Sequence, residues 1–395
     1  MNERKQSTAV RVTAWICALL FLTLFAPAAL SEETTGVTDI QKYGNILLSI
    51  SADDFLALGY EPGDLVRFTI MDHSYTMPVG NNYSDVDEGS MICRIVQDET
   101  EQRSDVLLAI NMGDLATHSG LARKIKTEEE PGYIWQYTQG TREEQIIRFA
   151  IAEKRGYLSD YLLRQLSRSN RREDYPQLTD AQFANFRPVE TTGMGKGVLY
   201  RSSSPVDPQL GRNRYADKAL QSAGVRTVIN LADTAESMRA YPDYAQSAYA
   251  GCNVIPLNLG IDIHSEAFQS GLADGMRHLA KSEGPYLIHC TEGKDRAGFV
   301  CALLELLMGA AADEAETDYM LSFVNYYGVL PGSEQYEAVA ESNIRRILAS
   351  SLGIESIYDP AADLAALARK YMTEKLCLTA EEIDRIIQNL SGDAL

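Results

Sequence analysis

Positive charge is scarce in this chain. Thirty-six Lys and Arg stand against 55 Asp and Glu, for a formal net charge of -19. A chain this acidic is repelled by a polyphosphate backbone, which excludes general nucleic-acid binding as its function. Cysteine is sparse too: six in 395 residues cannot form the framework of a disulfide scaffold. No two cysteines have C-x-x-C spacing, and the five histidines are scattered, so no metal-ligand pattern is present. No cofactor-binding motif emerges either. Gly at 28 and Pro at 13 exclude collagen-like or Pro-rich architecture. What remains is an ordinary hydrophobic fraction of 45%, enough for two or three domains with their own cores.

The first residues read as an address. Arg4, Lys5 and Arg11 lead into an apolar run from about Val12 to Leu30, with no acid between Glu3 and Glu32. This is a charged region followed by a hydrophobic one, a signal peptide over 1–31. Ala26-Pro27-Ala28 and Ala29-Leu30-Ser31 offer two cleavage sites, and an uncleaved anchor is the alternative. On either reading the rest of the chain is exported: extracellular, periplasmic or held at the cell envelope. Cys93, Cys252, Cys290, Cys301 and Cys377 remain beyond the leader, an odd number that leaves at least one thiol unpaired.

From about Thr38 to Ala122 the pattern is β-rich. Ile46–Ile50, Leu65–Ile70, Met91–Val96 and Val106–Ile110 are candidate strands between turn signals such as Glu61-Pro62-Gly63-Asp64. They predict a small barrel-like domain over 38–122. Polar Asn81–Asp87 would line a site or form an exposed loop. Thr141-Arg142-Glu143-Glu144 has capping-box spacing, and Ile146, Phe149, Ala150, Leu158, Leu162 and Leu166 approximate one helical face. A helical linker over 123–185 is therefore expected. Its Arg164, Arg168, Arg171 and Arg172 would steer an anion, pair with nearby acids or form a solvated face.

Beyond 185, strands alternate with helices. Val198–Tyr200, Val225–Leu231, Cys252–Leu257 and Pro285–His289 read as short buried strands; Ser265–Lys281 and Ala297–Met308 read as helices. The alternation predicts an α/β domain over 186–395, with a mostly parallel sheet flanked by helices. Gly193-Met194-Gly195-Lys196-Gly197 precedes a strand and suits a turn better than a phosphate loop.

The chemistry concentrates in His289-Cys290-Thr291-Glu292-Gly293-Lys294-Asp295-Arg296-Ala297-Gly298. A strand ends at His289 and a helix begins near Ala297. A tight loop at a helix N-terminus gathers backbone N–H groups into one cradle, and the helix dipole adds positive potential. Thiols in such settings ionise more readily than free ones. An arginine grips two phosphate oxygens bidentately and stabilises transition-state charge. Gly293 permits the bend, and Gly298 lets the helix start lie close to the sheet.

These residues resemble the Cys-x5-Arg signature of the protein tyrosine phosphatase superfamily, in its atypical bacterial tyrosine/dual-specificity branch. The likeness runs from roughly Phe186 to Leu390 and takes in Gly197–Ser203 and Leu378–Ile383. The resemblance implies a cysteine-dependent phosphomonoesterase that forms a phosphocysteine on Cys290, with Arg296 holding the phosphoryl group. Thr291, Glu292, Gly293, Lys294, Ala297 and Gly298 would complete the phosphate loop, and His289 would orient it. No cofactor and no metal are implied. A carboxylic acid should protonate the leaving oxygen and then activate water. Asp262, in a stretch after a strand where the family's acid loop falls, is the favoured candidate on position, and Asp295, inside the loop, is the other. Ala297 departs from the pattern, which has Ser or Thr there to help the thiolate leave. Slow phosphoenzyme breakdown is therefore expected.

The partner implied is a phosphorylated substrate, either a phosphoprotein or a small phosphoester. Lys294 and Arg296 are the loop's only cations, which favours phosphotyrosine or small esters over inositol polyphosphates. Arg201, Arg212, Arg214 and Arg226 would reverse that by folding toward the site. A phosphoinositide or inositol-polyphosphate phosphatase and a phosphate-binding pseudo-phosphatase are the alternatives. Cys252 is a candidate for a disulfide that protects Cys290.

A second resemblance lies upstream. Tyr43-Gly44-Asn45-Ile46, Leu58–Val66 and Leu108–Gly113 look like the C-terminal β domain of SAM hydroxide adenosyltransferases. That family's catalytic domain has no counterpart between the leader and Thr38, so SAM hydrolysis is not carried over. A docking module for a partner or for the phosphatase domain is the expectation, and membrane tethering only through an uncleaved N-terminus.

Overall fold

Val66, Phe68 and Ile70 are buried while Arg67 points outward, the period-two pattern of a strand with one wet face. Repeated along the early chain, that pattern builds a barrel. The computed structural model describes residues 32–392, so the proposed leader lies outside the described residues. The chain divides into two compact units, one ending at Gln165 and the other beginning at Leu166.

The first unit contains β1 (Glu33–Ile40), β2 (Ile46–Ser51), β3 (Leu65–Ile70), β4 (His73–Gly80), β5 (Met91–Asp98), β6 (Arg103–Ile110), β7 (Ala122–Lys126), β8 (Tyr133–Tyr137) and β9 (Ile146–Glu153). Seven of these close in the order β1-β2-β6-β5-β4-β3-β9, and β7 pairs with β8 as a separate hairpin. Phe55, Tyr60, Phe68 and Phe149 fill the interior, with Phe55 and Tyr60 stacked at 4.5 Å.

Two expectations fail here. The barrel extends well beyond 38–122, and the start of the expected helical linker is β structure. Ile146, Phe149 and Ala150 fit a helical spacing, but the chain buries Ile147 and Phe149 and leaves Ile146 58% exposed. The reason is pairing: β9 bonds to both β1 and β3 and closes the barrel. The Thr141 capping box is real, yet it starts only a single turn, Arg142–Glu144. Among the described residues, α-helix in 123–185 is confined to Leu158–Arg164 and the short Asp180–Phe183.

The polar run 81–87 is a self-bonded loop. Buried Asp85 accepts from the amides of Asn81 and Asn82 at 2.7 and 2.9 Å. Tyr83 alone of that run lines a pocket of about 800 Å³, together with Tyr43, Asn45, Asn111, Met112 and Lys124.

In the second unit, β10 (Arg187–Pro188), β11 (Leu199–Ser202), β12 (Thr227–Asn230), β13 (Asn253–Pro256) and β14 (Tyr286–His289) form one sheet in the order β10-β11-β14-β12-β13. All neighbours are parallel except β10 with β11. The four parallel strands are short, and β11, β12 and β14 are largely buried because helices cover both faces. Val228 and Leu287 pack with Ala216, Leu220 and Met238 on one side. Ile229 approaches Gly275 of the helix Glu266–Lys281 on the other. The helix Asp295–Leu307 is buried nearly all round, and the helices Ala312–Tyr327 and Leu364–Glu374 pack on it. Its N-terminus therefore stays at the C-terminal edge of β14.

Candidate active site

The loop from Cys290 to Lys294 joins β14 directly to the helix Asp295–Leu307. Gly293 has φ +66, and a Cβ there would lie 2.0 Å from the Ser202 carbonyl oxygen. Only glycine lets the loop rest against the end of β11.

Six successive carbonyls, from His289 to Lys294, have hydrogen-bond donors of their own. His289 O accepts from Leu231 N at 2.9 Å and Thr291 O from Ser204 N at 3.1 Å. Cys290 O lies 3.3 Å from His289 Nδ1. Glu292 O accepts from Tyr326 Oη at 2.8 Å and from Asn185 Nδ2 at 3.2 Å. Gly293 O and Lys294 O accept from Arg201 Nη2 at 2.9 and 3.0 Å. The amides of Thr291, Glu292, Gly293 and Lys294 have no acceptor among the described residues. With the carbonyls bonded elsewhere, those amides and the helix's first N–H groups are free to donate, which makes the loop a candidate anion cradle.

Cys290 begins this loop, only 2% exposed. Arg296 curls back from the first helical turn. Its Nη2 donates to Thr291 Oγ1 at 3.2 Å, beside the cysteine, and its Nη1 to Leu259 O at 2.8 Å and Leu231 O at 3.3 Å. The fold thus gathers the guanidinium and the loop at the ends of β12 and β14.

His289 is fully buried. Burial pushes its imidazole down to about 4, opposed by its bond to Cys290 O and by Asp233, so it is neutral near pH 7. Its Nε2 lies 2.9 Å from Tyr249 Oη, which Asn230 Nδ2 also reaches at 2.9 Å. An Nδ1–H tautomer satisfies both ring nitrogens. Asn230 bonds onward to Asp233 at 3.0 Å. This chain from His289 to Asp233 had no local sequence signal.

The two candidate acids sit differently. Protein packed around Asp295 raises its carboxyl above the ordinary range, while Lys294, with its ammonium at 3.7 Å, opposes the shift. Its side chain is still 60% exposed, so water limits that rise. Tyr319 Oη approaches it at 3.5 Å. Asp262 is exposed and accepts from His264 N at 3.0 Å within its own turn. That turn is anchored near the loop through Leu259, the residue Arg296 holds.

None of the four downstream arginines lines the cradle. Arg201 lies buried beneath the loop. Arg212 is buried against the rings of Phe183 and Tyr326, at 4.0 and 4.1 Å. Arg214 stacks on Tyr215, and Arg226 pairs with Glu283. Of the upstream basic run, Arg168 reaches the loop and pairs with Glu292 at 2.7 Å, and Arg172 pairs with Asp180.

Beneath the loop sits a charged cluster. Arg201 and Arg187 share Asp318 at 2.5 and 2.8 Å, and Ser322 and Asn185 complete the bonds. Glu305 borders them, and neither of its carboxyl oxygens has a hydrogen-bond partner within bonding geometry among the described residues. Burial, then the neighbouring Asp318, raises its carboxyl well above the ordinary range, which favours the neutral acid. Two guanidiniums against one carboxylate leave net positive charge under the cradle.

Cys252 cannot reach Cys290. Its Sγ lies 3.4 Å from Val225 O, one residue before β13, at the level where β14 begins. Five residues at strand rise separate that level from Cys290, roughly 16 Å, against the 4.4–6.8 Å between Cα atoms that a disulfide needs. All five described cysteines are free.

The sequence pattern described as "Tyrosine phosphatase family" matches residues 182–392. The chain belongs to the tyrosine phosphatase family. Membership marks the phosphatase as a phosphoric monoester hydrolase. Among solved structures, it is similar to Pseudomonas aeruginosa TpbA in complex with pTyr, at 20% identity over 49% of this chain and 93% of that one, TM-score 0.30. It is also similar to the core catalytic domain of the Saccharomyces cerevisiae PP-IP phosphatase SIW14 in complex with citrate, at 17% identity over 43% and 93%, TM-score 0.26. An uncharacterized conserved protein from Thermotoga maritima matches at 18% identity over 30% of this chain, TM-score 0.23, and the phosphatase spans only 36% of that protein. No curated protein matches.

Proposed function

We propose that this phosphatase is exported and acts through a phosphocysteine, with phosphotyrosine or a dual-specificity phosphoprotein substrate as its target. The observation that carries the reading is the bonding of the loop: six successive carbonyls are tied to donors while four amides have no acceptor among the described residues, with Cys290 at the start and Arg296 bonded to Thr291 beside it. In the first step Cys290 Sγ bonds to phosphorus and the P–O bond to the leaving group breaks. Asp295, whose raised carboxyl suits a proton donor, gives the leaving oxygen its proton. Water then attacks the phosphocysteine, Asp295 takes a proton from it, and the thiolate leaves with inorganic phosphate. Asp262 is the second candidate for that proton.

Export is supported by the basic and then apolar pattern of residues 1–31. The barrel is proposed as a docking module, in keeping with its resemblance to a non-catalytic β domain.

The test is hydrolysis of p-nitrophenyl phosphate, sensitive to tungstate and abolished in Cys290→Ser. One observation favours a phosphate binder with little turnover: Ala297 is fully buried and supplies no hydroxyl to the departing thiolate. Tungstate binding without turnover in the native chain would select that second reading.

A further inference from the structure

Glu292 stands inside the phosphate loop, where an acid opposes anion binding, and the structure gives it an unusual setting. Its Oε1 lies 2.7 Å from Arg168 Nη2, and its Oε2 lies 3.2 Å from Lys294 Nζ. The two cations are themselves held in place. Arg168 lies over the rings of Tyr326 and Tyr327 at 5.1 and 5.9 Å. Lys294 lies over Phe323 and Tyr327 at 5.1 Å each and donates to Tyr327 Oη at 3.1 Å. Burial works against ionising Glu292, yet Arg168 and Lys294 together keep its carboxyl below the ordinary range.

Arg168 Nη1 is buried with no hydrogen-bond partner among the described residues, so the carboxylate does not use up this guanidinium's donors. The group is still reachable: the side chains of Arg168 and Glu292 are each 23% exposed and that of Lys294 is 13% exposed. Two preoriented cations on an aromatic floor, partly wet and beside a phosphate cradle, form an anion subsite. It is occupied by the protein's own carboxylate.

We propose that Glu292 is a specificity gate, its carboxylate filling an anion subsite of Arg168 and Lys294 beside the cradle so that substrates with a second phosphate near the first are rejected. The inference rests on the phosphatase reading above and narrows its substrate class to singly phosphorylated esters. A phosphate entering next to the cradle meets a like charge and finds both cations already paired. A phosphotyrosine, with one phosphate and a neutral ring, meets no such conflict.

The test compares phytate with p-nitrophenyl phosphate in native chain, Glu292→Gln, Glu292→Ala and Glu292→Gln/Arg168→Met. The readout is the ratio of the two kcat/KM values. Removing the charge is expected to raise the phytate preference roughly tenfold or more at low salt, and less as salt screens it. Adding Arg168→Met should cancel most of the rise, because the freed cation is what the second phosphate uses. An unchanged ratio, or a rise that survives loss of Arg168, overturns the gate. Phytate affinity, measured directly in Cys290→Ser with and without Glu292→Gln, decides the same question without turnover: tighter binding on loss of the charge supports the gate, and equal binding overturns it. If hydrolysis proves independent of Cys290, the phosphocysteine mechanism falls, and the affinity comparison still decides the gate.

Discussion

The Nη2 atom of Arg201 lies 2.9 Å from the carbonyl oxygen of Gly293. A basic residue in the Leu199-Tyr200-Arg201-Ser202 run suggests a phosphate reader, but this one is wholly buried and acts on the loop from below. Its Nη1 is tied to Asp318, and the same Nη2 also holds Lys294 O. Arg201→Met should remove the donor shared by two loop carbonyls and half of the charge facing Asp318. Breaking such a buried pair costs about 3–5 kcal/mol. Arg201→Lys keeps the charge but not the fork, and should lose less stability while still weakening the cradle. Tungstate affinity in a Cys290→Ser background measures the cradle, and thermal unfolding measures the fold. A folded Arg201→Lys protein with undiminished tungstate affinity would remove the loop-holding role.

The acid assignment divides cleanly by pH. A general acid must be protonated, so turnover falls on the alkaline side as it ionises. Asp295 has a raised carboxyl, which shifts that fall upward in pH. Asp295→Asn should lower kcat on p-nitrophenyl phosphate by about 10²–10⁴-fold and flatten the alkaline limb. Asp262→Asn should leave the limb in place, since that carboxylate bonds to its own turn at His264 N. The opposite pattern moves the role to Asp262.

Much of this is legible in the sequence because it is local. The apolar runs at 225–231, 252–257 and 285–289 sit between turn signals, and each contains one parallel strand of the sheet. Ser265 caps the helix Glu266–Lys281 by accepting from Phe268 N. The chemistry-bearing loop is also one continuous stretch. What escapes depends on partners far along the chain. β9 fits helix and strand spacing equally well, and only its pairing with β1 and β3 decides. Polar β1 and the Pro-containing β4 carry weak strand signals for the same reason. Asp318 and Tyr326 look like ordinary residues of an amphipathic helix; their roles emerge once that helix lies under the loop. Arg201 does fold toward the loop, but the direction of its guanidinium depends on Asp318, 117 residues away.

Ala297 leads to a kinetic prediction. Its methyl group is fully buried at the start of the helix, and no hydroxyl is available there to stabilise the departing thiolate. On the proposed phosphocysteine route, breakdown of that intermediate should limit turnover, so stopped-flow mixing with p-nitrophenyl phosphate should release a burst near one equivalent per enzyme. Ala297→Ser should shrink the burst and raise kcat several-fold. A native enzyme with no burst, and a serine variant with the same kcat, would place the slow step elsewhere.

His289 makes the fold itself sensitive to acid. Unfolded, its imidazole titrates at the ordinary 6.5; folded, burial pushes it down to about 4. The unfolded chain therefore binds the extra proton first as pH falls. Stability contributed by the neutral, buried ring is complete above pH 6.5, declines between 6.5 and 4, and is lost below that window. The difference in affinity for the proton is worth on the order of 3 kcal/mol. Denaturant unfolding at a series of pH values should show this decline superimposed on that of the carboxylates. His289→Asn removes the titration while keeping a side chain able to bond with Tyr249 Oη, so its stability should fall less steeply across the same window. Parallel curves for the two proteins would mean that the ring is protonated as readily in the fold as outside it. The neutral Nδ1–H tautomer, and the chain of bonds through Tyr249 to Asn230, would then have to be abandoned.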